Sequence, residues 1–269
     1  MVTVTGMDLA DLSGRAYGPG NLEVTPARVS DFVEVTGDDP ARWHDTAPPG
    51  FAAAALFVVA PALLSELTGH PVVHGEQTFT WHRPIRVGGS LEVTGAVTRV
   101  RERGGVNYVG FDMVAEGEAG RVVEGSSLFL VTGESLPSGS DFERPEPPHS
   151  HRGDPGSAQR SASRADLVRY AAATRDWNPI HWDHDAAVAA GLPGVVVHGL
   201  LQASWAFQAA ASQRGGPMPL SSGRVRFRYP LLPARPVDVV ATVDEGQASV
   251  SLTDPDHEYL NASIEISDE

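Results

Sequence analysis

The sequence predicts an α+β fold built twice, in which each half wraps an antiparallel sheet around one long helix. Residues 78–93 and 224–239 align without a gap at an offset of 146, and each segment places an aromatic residue three positions before a proline. Each half also contains one long apolar helical segment and several alternating strand segments. Such strands need a helix to cover one face of their sheet.

A short amphipathic helix is predicted near the start of each half. In the first half, Thr25 is a suitable N-cap and Pro26 a suitable first helical residue. In the second half, Ser163 and Asp166 have the spacing of a capping box. The caps therefore give the two halves the same first element.

A long helix and a set of strands follow in each half. The long helices are predicted at residues 51–67 and 200–213. The later strands are predicted at residues 90–101, 107–116, 121–132, 237–243, 247–253 and 258–266.

Residues 133–157 are rich in proline, serine and glycine and lack apolar periodicity. This composition predicts an extended linker. The chain is therefore divided into a first half at 1–132, a linker at 133–157 and a second half at 158–269.

The composition excludes several classes of protein. The 269 residues carry a formal net charge of −14, and phosphate backbones repel so acidic a chain, so nucleic-acid binding is not expected. The chain has no cysteine and therefore no disulfide or thiolate site. Residues 51–67 contain a proline and are interpreted as a buried helix, not a membrane span. We expect a cytoplasmic protein.

The densest group of reactive side chains lies at residues 174–185. Asp176 and His181 are five residues apart, and Pro179 between them disfavours helix at Asn178. An irregular segment lets both side chains turn toward one point. A carboxylate and an imidazole can move the protons that addition of water to a conjugated thioester requires. Backbone N–H groups where the second long helix begins, at Gly199, can stabilise the enolate oxygen.

These motifs resemble those of the MaoC-like family, also called hydratase 2 or (R)-specific enoyl-CoA hydratase. Residues 176–183 match its D-x-N-P-[IL]-H-x-D stretch, and residues 197–200 match its hydrophobic-His-Gly turn. Residues 164–170 are similar to actinobacterial dehydratase subunits that pair as heterodimers. Residues 47–54 and 82–91 resemble the degenerate partner of those subunits.

The resemblance implies a double hot-dog fold and a hydro-lyase that hydrates trans-2-enoyl thioesters to (3R)-3-hydroxyacyl thioesters. Asp176 and His181 would be catalytic and hold the water. Asn178 would orient the loop and contribute to substrate binding, and the Gly199 N–H would bind the thioester carbonyl. The resemblance implies no metal and no redox cofactor. The implied partner is an acyl-CoA or acyl-carrier-protein thioester.

Two departures refine these expectations. The family commonly has glycine before the catalytic aspartate, whereas this chain has Arg175, which could alter the loop or contact a substrate phosphate or carboxylate. The first half keeps Asp38 but has Arg42 where the second half has His181, and it lacks the asparagine. We therefore expect one active site per chain, with the first-half helix lining the acyl tunnel.

Two other functions stay open, a hot-dog thioesterase and a non-catalytic acyl-thioester-binding module, and a homodimer of the fused unit is possible. Residues 181–185 could be a metal cluster, although Asp183 is expected to bond the loop backbone. His198 is expected to begin the helix and not to act as an acid. Arg224, Arg226 and Arg228 share one strand face, which is either solvated or steers a phosphate of the carrier. His74-Gly75 is interpreted as a loop.

Overall fold

The predicted helices and strands are present in a computed structural model that describes residues 8–67, 69–132 and 159–268. The strands are β1 (Ala16–Glu23), β2 (Val72–Trp81), β3 (Ser90–Arg103), β4 (Val106–Gly117), β5 (Gly120–Thr132), β6 (Gln159–Arg160), β7 (Leu220–Phe227), β8 (Val237–Asp244), β9 (Gln247–Thr253) and β10 (Glu258–Ile266). The α-helices are α1 (Pro26–Thr36), α2 (Ala52–Glu66), α3 (Arg164–Thr174), α4 (His184–Ala189) and α5 (Gly199–Ala211). Three 3₁₀ turns lie at Leu9–Leu12, Pro49–Phe51 and Pro179–His181.

All the described strands form one antiparallel sheet in the order β1-β3-β4-β5-β2-β7-β10-β9-β8-β6. The two half-sheets have the same strand order. Counted from its outer edge, the first is β1-β3-β4-β5-β2 and the second is β6-β8-β9-β10-β7. The halves join where β2 pairs with β7, with Phe79 opposite Gly223. The predicted α+β fold with a duplicated sheet is confirmed. The predicted linker at 133–157 lies outside the described residues.

Each half-sheet curves around its long helix because its strands alternate between buried and exposed residues. Along β3, Leu91, Val93, Gly95 and Val97 are buried, while the residues that alternate with them are more exposed. The inward side chains of both halves belong to one continuous core with α2 and α5. The period of two places every second side chain against a helix, as the pattern predicted.

The first long helix, α2, is apolar on all sides and is enclosed by its half-sheet. Within the described residues, one stretch, Pro49–Glu66, is long and apolar enough to cross a membrane, but 67% of it is buried inside the protein. Nine of its residues between Ala52 and Leu63 are buried. This helix is therefore core, as predicted from its sequence.

The second long helix, α5, begins at Gly199, one residue before its predicted start. It packs on β7, β8, β9 and β10 and also against the 3₁₀ turn that precedes α2. That contact is close, since a Cβ added at Gly50 would lie 2.5 Å from the Ser204 Oγ. The glycine lets the first half approach the central helix of the second half.

The two short helices have the predicted caps. The Thr25 side chain accepts the Arg28 N–H, and Ser163 and Asp166 form the full capping box. Both helices end in a left-handed residue, Gly37 at φ 68° and Arg175 at φ 71°. The left-handed conformation suits glycine, whereas an arginine there carries a steric penalty of about 1–2 kcal/mol.

Arg42 connects the two halves. Its guanidinium donates to the carbonyl oxygens of Ala211 at 2.8 Å and of Arg214 at 2.6 Å. These carbonyls belong to the last turn of α5 and the residues after it, where a helix leaves its C=O groups unpaired. A cation there also interacts favourably with the negative end of the helix dipole.

Two further bonds cross between the halves in the same manner. The Arg28 Nε donates to the Ala173 carbonyl in the last turn of α3 at 2.7 Å. The Gln208 Nε2 donates to the Thr36 carbonyl at the end of α1 at 3.2 Å. Each half therefore caps helices of the other half.

Several described elements differ from the sequence-based expectations. The edge strands β1 and β6 and the short helix α4 were not predicted, because β1 contains Gly-Pro-Gly, β6 has only two residues and α4 begins within the polar cluster. The prediction of a loop at His74-Gly75 is wrong, since both residues lie in β2. Glycine weakened the strand pattern there, but a β-bulge accommodates it.

We predict that Arg42→Met lowers the free energy of unfolding by about 1–3 kcal/mol, because it removes two charge-assisted hydrogen bonds to the end of α5. Urea unfolding followed by circular dichroism measures the change. The control is Arg103→Met, which alters an exposed arginine at the end of β3. Equal stabilities of the two variants would show that the Arg42 bonds contribute nothing.

We predict that Arg175→Gly raises the free energy of unfolding by about 0.5–1 kcal/mol, because relief of the left-handed strain exceeds the added entropy of the unfolded chain. The matched variant Gly37→Ala, at the same position of the first half, should lose stability. Thermal or urea unfolding of both proteins checks the prediction. A less stable Arg175→Gly protein would mean that the arginine makes contacts worth more than its strain.

Candidate active site

The loop after α3 brings Asp176 and His181 together. Arg175 ends the helix, and the 3₁₀ turn Pro179–His181 follows two residues after Asp176. Asn178 holds this loop, since its side-chain oxygen accepts the Ile180 N–H and its own N–H donates to the Asp176 Oδ1, both at 3.4 Å. The predicted role of Asn178 in orienting the loop agrees with these contacts.

His181 is fixed by the segment that leads into α5. Its Nδ1 lies 2.9 Å from the Val196 carbonyl, and the Val196 N–H donates to the Ile180 carbonyl at 3.2 Å. A carbonyl only accepts, so the His181 proton resides on Nδ1. The Nε2 atom therefore presents a lone pair.

The His181 Nε2 lies 4.0 Å from the Asp176 Oδ2. This separation is too long for a direct hydrogen bond. It suits a single water that lies about 2.8 Å from each atom and donates one hydrogen to each. The two side chains thus form a closely spaced pair, which is called the dyad below.

Burial shifts the dyad toward its neutral forms. Both side chains are buried. Burial raises the pKa of the Asp176 carboxyl to about 7, against a smaller opposing effect of the Asn178 N–H. Burial lowers the pKa of His181 to about 4, against the opposing effect of the Val196 carbonyl. Near neutral pH, the imidazole is neutral and the carboxyl titrates.

His198 contacts both members of the dyad. Its Nε2 donates to the backbone carbonyl of Asp176 at 3.2 Å, and its ring stacks on His181 with centroids 3.8 Å apart. Tyr170 packs on its other side with ring centroids 4.9 Å apart. His198 precedes α5 as predicted, and it also supports the dyad, which the sequence did not reveal.

Asp176, His181 and His198 are close enough to suggest a metal site. The stacked rings argue against one, because their planes are only 23° apart. An imidazole lone pair lies in the ring plane, so two nearly parallel rings cannot both direct nitrogens at an ion about 2.1 Å away. The geometry suits water and not a shared metal.

The cluster at residues 181–185 also has a structural explanation. The Asp183 Oδ1 accepts the N–H groups of Asp185 and Ala186 at 2.9 and 3.1 Å, which caps α4. The expected structural role of Asp183 is confirmed. His181 points into the core and His184 starts α4, so the two histidines do not converge.

The N-terminus of α5 opens beside the dyad. The N–H groups of Leu201 and Gln202 donate to the His198 carbonyl, so the Gly199 N–H precedes the first bonds of the helix. A Cβ added at Gly199 would lie 3.0 Å from the Phe227 ring. Glycine therefore lets the Phe227 ring pack against the start of α5, and the Gly199 N–H lies at the positive end of the helix dipole.

A cavity of about 260 Å³ contains the dyad and Gly199. Both halves line it, and α2 supplies Phe57 and Leu64, so the first-half helix contributes to its wall. Its other lining residues are Val72, Val73, His74, Phe129, Asn178, Ile180, Ala190, Leu192, Val196, Val197, Leu200, Gln202, Phe227, Arg228, Tyr229 and Pro230. Apart from the dyad, the polar side chains of the lining are those of His74, Asn178, Gln202, Arg228 and Tyr229, and the other lining residues are apolar.

The matching position of the first half has no such pair. Arg42 stands where the second half has His181, and its guanidinium is occupied at the end of α5. Asp38 remains and burial raises its pKa, but no imidazole stands at the position that matches His181. The histidine of that loop, His44, is exposed, and its Nδ1 lies 3.0 Å from the Ala41 carbonyl.

Several cavity residues were not predicted. Gln202 lies three residues after Gly199 on α5, so helical periodicity could have revealed it. His74 was hidden by the bulge in β2. Arg224 and Arg226 lie outside the cavity on the exposed sheet face, where both contact Glu76 at 2.8 and 3.0 Å.

Two known families match successive parts of the chain. Residues 148–256 match the MaoC like domain, and residues 11–125 match the FAS1-like dehydratase domain region. The second match covers most of the half that lacks the histidine.

Named relatives span nearly the whole chain. The chain is 29% identical to 3-hydroxyacyl-thioester dehydratase X of Mycobacterium tuberculosis, over 90% of this chain and 84% of the relative. It is also 30% identical to a UPF0336 protein of Streptomyces avermitilis, over 44% of this chain and 90% of that protein.

Solved structures share the fold. The crystal structure of HtdX of Mycobacterium tuberculosis matches with a TM-score of 0.72 at 23% identity, over 93% of this chain and 99% of that chain. A conserved Mycobacterium tuberculosis protein described as a double hot-dog matches at 0.67 and 14% identity, over 98% and 99% of the two chains. The fold of this chain is a double hot-dog, as the resemblance implied.

Proposed function

The chain belongs to the MaoC-like dehydratase family, and on that premise we propose that it reversibly adds water to trans-2-enoyl thioesters to give (3R)-3-hydroxyacyl thioesters. The observation that carries the proposal is the buried dyad, 4.0 Å apart, beside the free N-terminus of α5. Relatives named as 3-hydroxyacyl-thioester dehydratases support a hydro-lyase acting on hydroxyacyl thioesters.

The thioester carbonyl binds at the Gly199 N–H. As water adds to C3, negative charge grows on this oxygen, and a helix N-terminus in a site sheltered from solvent stabilises that charge. The acyl chain then extends among the apolar residues that line the cavity. The carrier, still joined through the thioester, extends out of the cavity mouth.

The dyad holds the attacking water through its two hydrogens. The Asp176 carboxylate and the His181 Nε2 are both acceptors, so the water directs a lone pair at C3. The C3–O bond forms as Asp176 takes one proton from the water. The enolate then takes that proton at C2, which regenerates both the thioester and the carboxylate. Dehydration follows the same steps in reverse.

Water is held on one side of the cavity, so addition occurs at one face of the double bond. The (3R) assignment rests on the family resemblance.

We also propose one active site per chain, in the second half at 158–269, with 1–132 as its acyl-binding partner and 133–157 as the linker. CoA and acyl carrier protein both remain candidate carriers. We propose that the protein works in the cytoplasm, where homodimerisation of the fused unit is compatible with its fold.

A thioesterase could use the same fold, since a putative oleoyl thioesterase of Lactobacillus plantarum matches with a TM-score of 0.57 at 10% identity. Release of free thiol from acyl-CoA distinguishes the two reactions. A non-catalytic binding module would bind acyl-CoA without either reaction. Such a module would have no need of the buried dyad, so the dyad favours an enzyme.

We predict that Asp176→Asn and His181→Gln each lower kcat/KM for crotonyl-CoA hydration by about 100-fold or more, because each removes a proton acceptor for the water. The assay follows the loss of enoyl absorbance. The control Asp38→Asn alters the matching aspartate of the first half and should keep near wild-type activity. Full activity in either dyad variant, with its circular dichroism unchanged, would refute the assignment.

We predict that the hydration rate rises with pH through a midpoint near 7. The acting form needs the Asp176 carboxylate, whose pKa is about 7, and neutral His181, whose pKa is about 4. Protonation of Asp176 therefore removes activity as pH falls through 7, while His181 stays neutral in that range. The measurement is kcat/KM from pH 5 to 9. A rate that falls as pH rises through 7 would mean that Asp176 acts first as an acid.

A further inference from the structure

Two polar side chains line the cavity away from the dyad, and each carries an atom without a hydrogen-bond partner. They are His74 of β2 and Gln202 of α5. Buried polar atoms are nearly always paired in folded proteins, and an unpaired one costs about 1–3 kcal/mol. An unpaired atom beside a ligand cavity suggests that the ligand supplies the partner.

A β-bulge places His74 on the face of the sheet that lines the cavity. The pairing of β2 with β5 shifts between His74 and Glu76, so that His74 lies opposite Phe129. Three residues after His74, the Gln77 side chain is buried. Glu76, between them, forms an ion pair with Arg224 on the outer face of the sheet. Without the bulge, residues three apart on a strand would point to opposite faces.

Gly75 lies at this bulge. A Cβ added there would lie 2.5 Å from the Leu130 Cδ1, so a larger residue would require the Leu130 side chain to move. Bulges that redirect a side chain are frequent next to active sites. The chain thus adopts an irregular strand that turns an imidazole toward the cavity.

The His74 ring lies between two aromatic rings, with centroids 4.9 Å from Phe129 and 5.0 Å from Phe227. Its Nε2 is buried and has no hydrogen-bond partner among the described residues. Burial lowers the pKa of His74 to about 4, against the smaller opposing effects of hydrogen bonds with the Glu76 backbone and the Gln77 side chain. The ring is therefore neutral and carries one N–H donor and one nitrogen acceptor.

Gln202 has a fixed orientation. Its Nε2 donates to the Val197 carbonyl at 3.3 Å, and the opposite amide orientation would place two acceptors together. Its Oε1 is therefore an acceptor, and it is buried with no partner among the residues that the structure describes. A ligand group that satisfies this oxygen has to be a donor.

We propose that the acyl chain of the substrate carries a hydroxyl group beyond C3, which His74 and Gln202 recognise. A hydroxyl can donate to the Gln202 oxygen and can donate to or accept from His74, whereas a ketone cannot satisfy Gln202. A plain alkyl chain would leave both polar groups unpaired, and apolar residues at these two positions would suit it better.

The location of His74 supports a group beyond C3. Phe227 contacts Gly199, where the thioester carbonyl binds, and it also packs on His74 with ring centroids 5.0 Å apart. One aromatic ring therefore contacts both His74 and the proposed thioester site. This proposal rests on the proposed function and adds a class of substrate to it.

The test compares three enoyl-CoA types of equal chain length: unsubstituted, hydroxylated and keto-substituted, with the oxygen at successive carbons from C5 outward. For the wild-type protein, we expect kcat/KM to be about 10-fold higher for at least one hydroxylated substrate than for the unsubstituted one. His74→Phe and Gln202→Met should each reduce this ratio toward one, and the keto series should lack the preference.

The matched control is His82→Phe, which alters an exposed histidine one residue beyond β2 and should keep the wild-type ratio. A wild-type protein that prefers the unsubstituted chain over every hydroxylated chain would overturn the proposal. A fall in kcat/KM by the same factor for all substrates in both variants would also overturn it. Turnover of the unsubstituted substrate in those cases would leave the proposed function intact, whereas turnover of no enoyl thioester would refute that function itself.

Discussion

The pairing of β2 with β7 is the interaction on which the rest of the structure depends. It converts two half-sheets into one ten-stranded sheet, so α2 and α5 face the same interior and a single cavity draws its walls from both halves. Helix ends near the junction are capped from the opposite half, which ties the position of α5 to the first half. The N-terminus of α5 carries Gly199, and the geometry of the reaction therefore depends on the junction.

The dyad is a costly arrangement for the fold. Burial raises the folded-state pKa of Asp176 above its unfolded value, so its protonated form favours folding at low pH and that contribution is lost as pH rises through about 7. The proposed reaction needs the ionised form. The protein is thus most active where this carboxyl disfavours folding, a conflict often found at active sites.

Much of the fold follows from sequence patterns with a local physical cause. Thr25 and Ser163 begin helices because their side chains satisfy free N–H groups, and these contacts depend only on neighbouring residues. The proximity of Asp176 and His181 could be predicted because Pro179 keeps the intervening loop short and irregular. The position of His74 could not, because a bulge depends on the partner strand. Nor could the stacking of His198, which requires two segments to meet.

Arg42 has an evolutionary consequence. When two identical subunits assemble around a twofold axis, every mutation occurs in both copies, so a change that destroys a catalytic histidine destroys all the sites. In this fused chain, arginine occupies one copy of that position and histidine the other. With the proposed active site in the second half, the matching position of the first half can serve as a structural contact, and the cavity walls of that half can vary without loss of the proposed reaction.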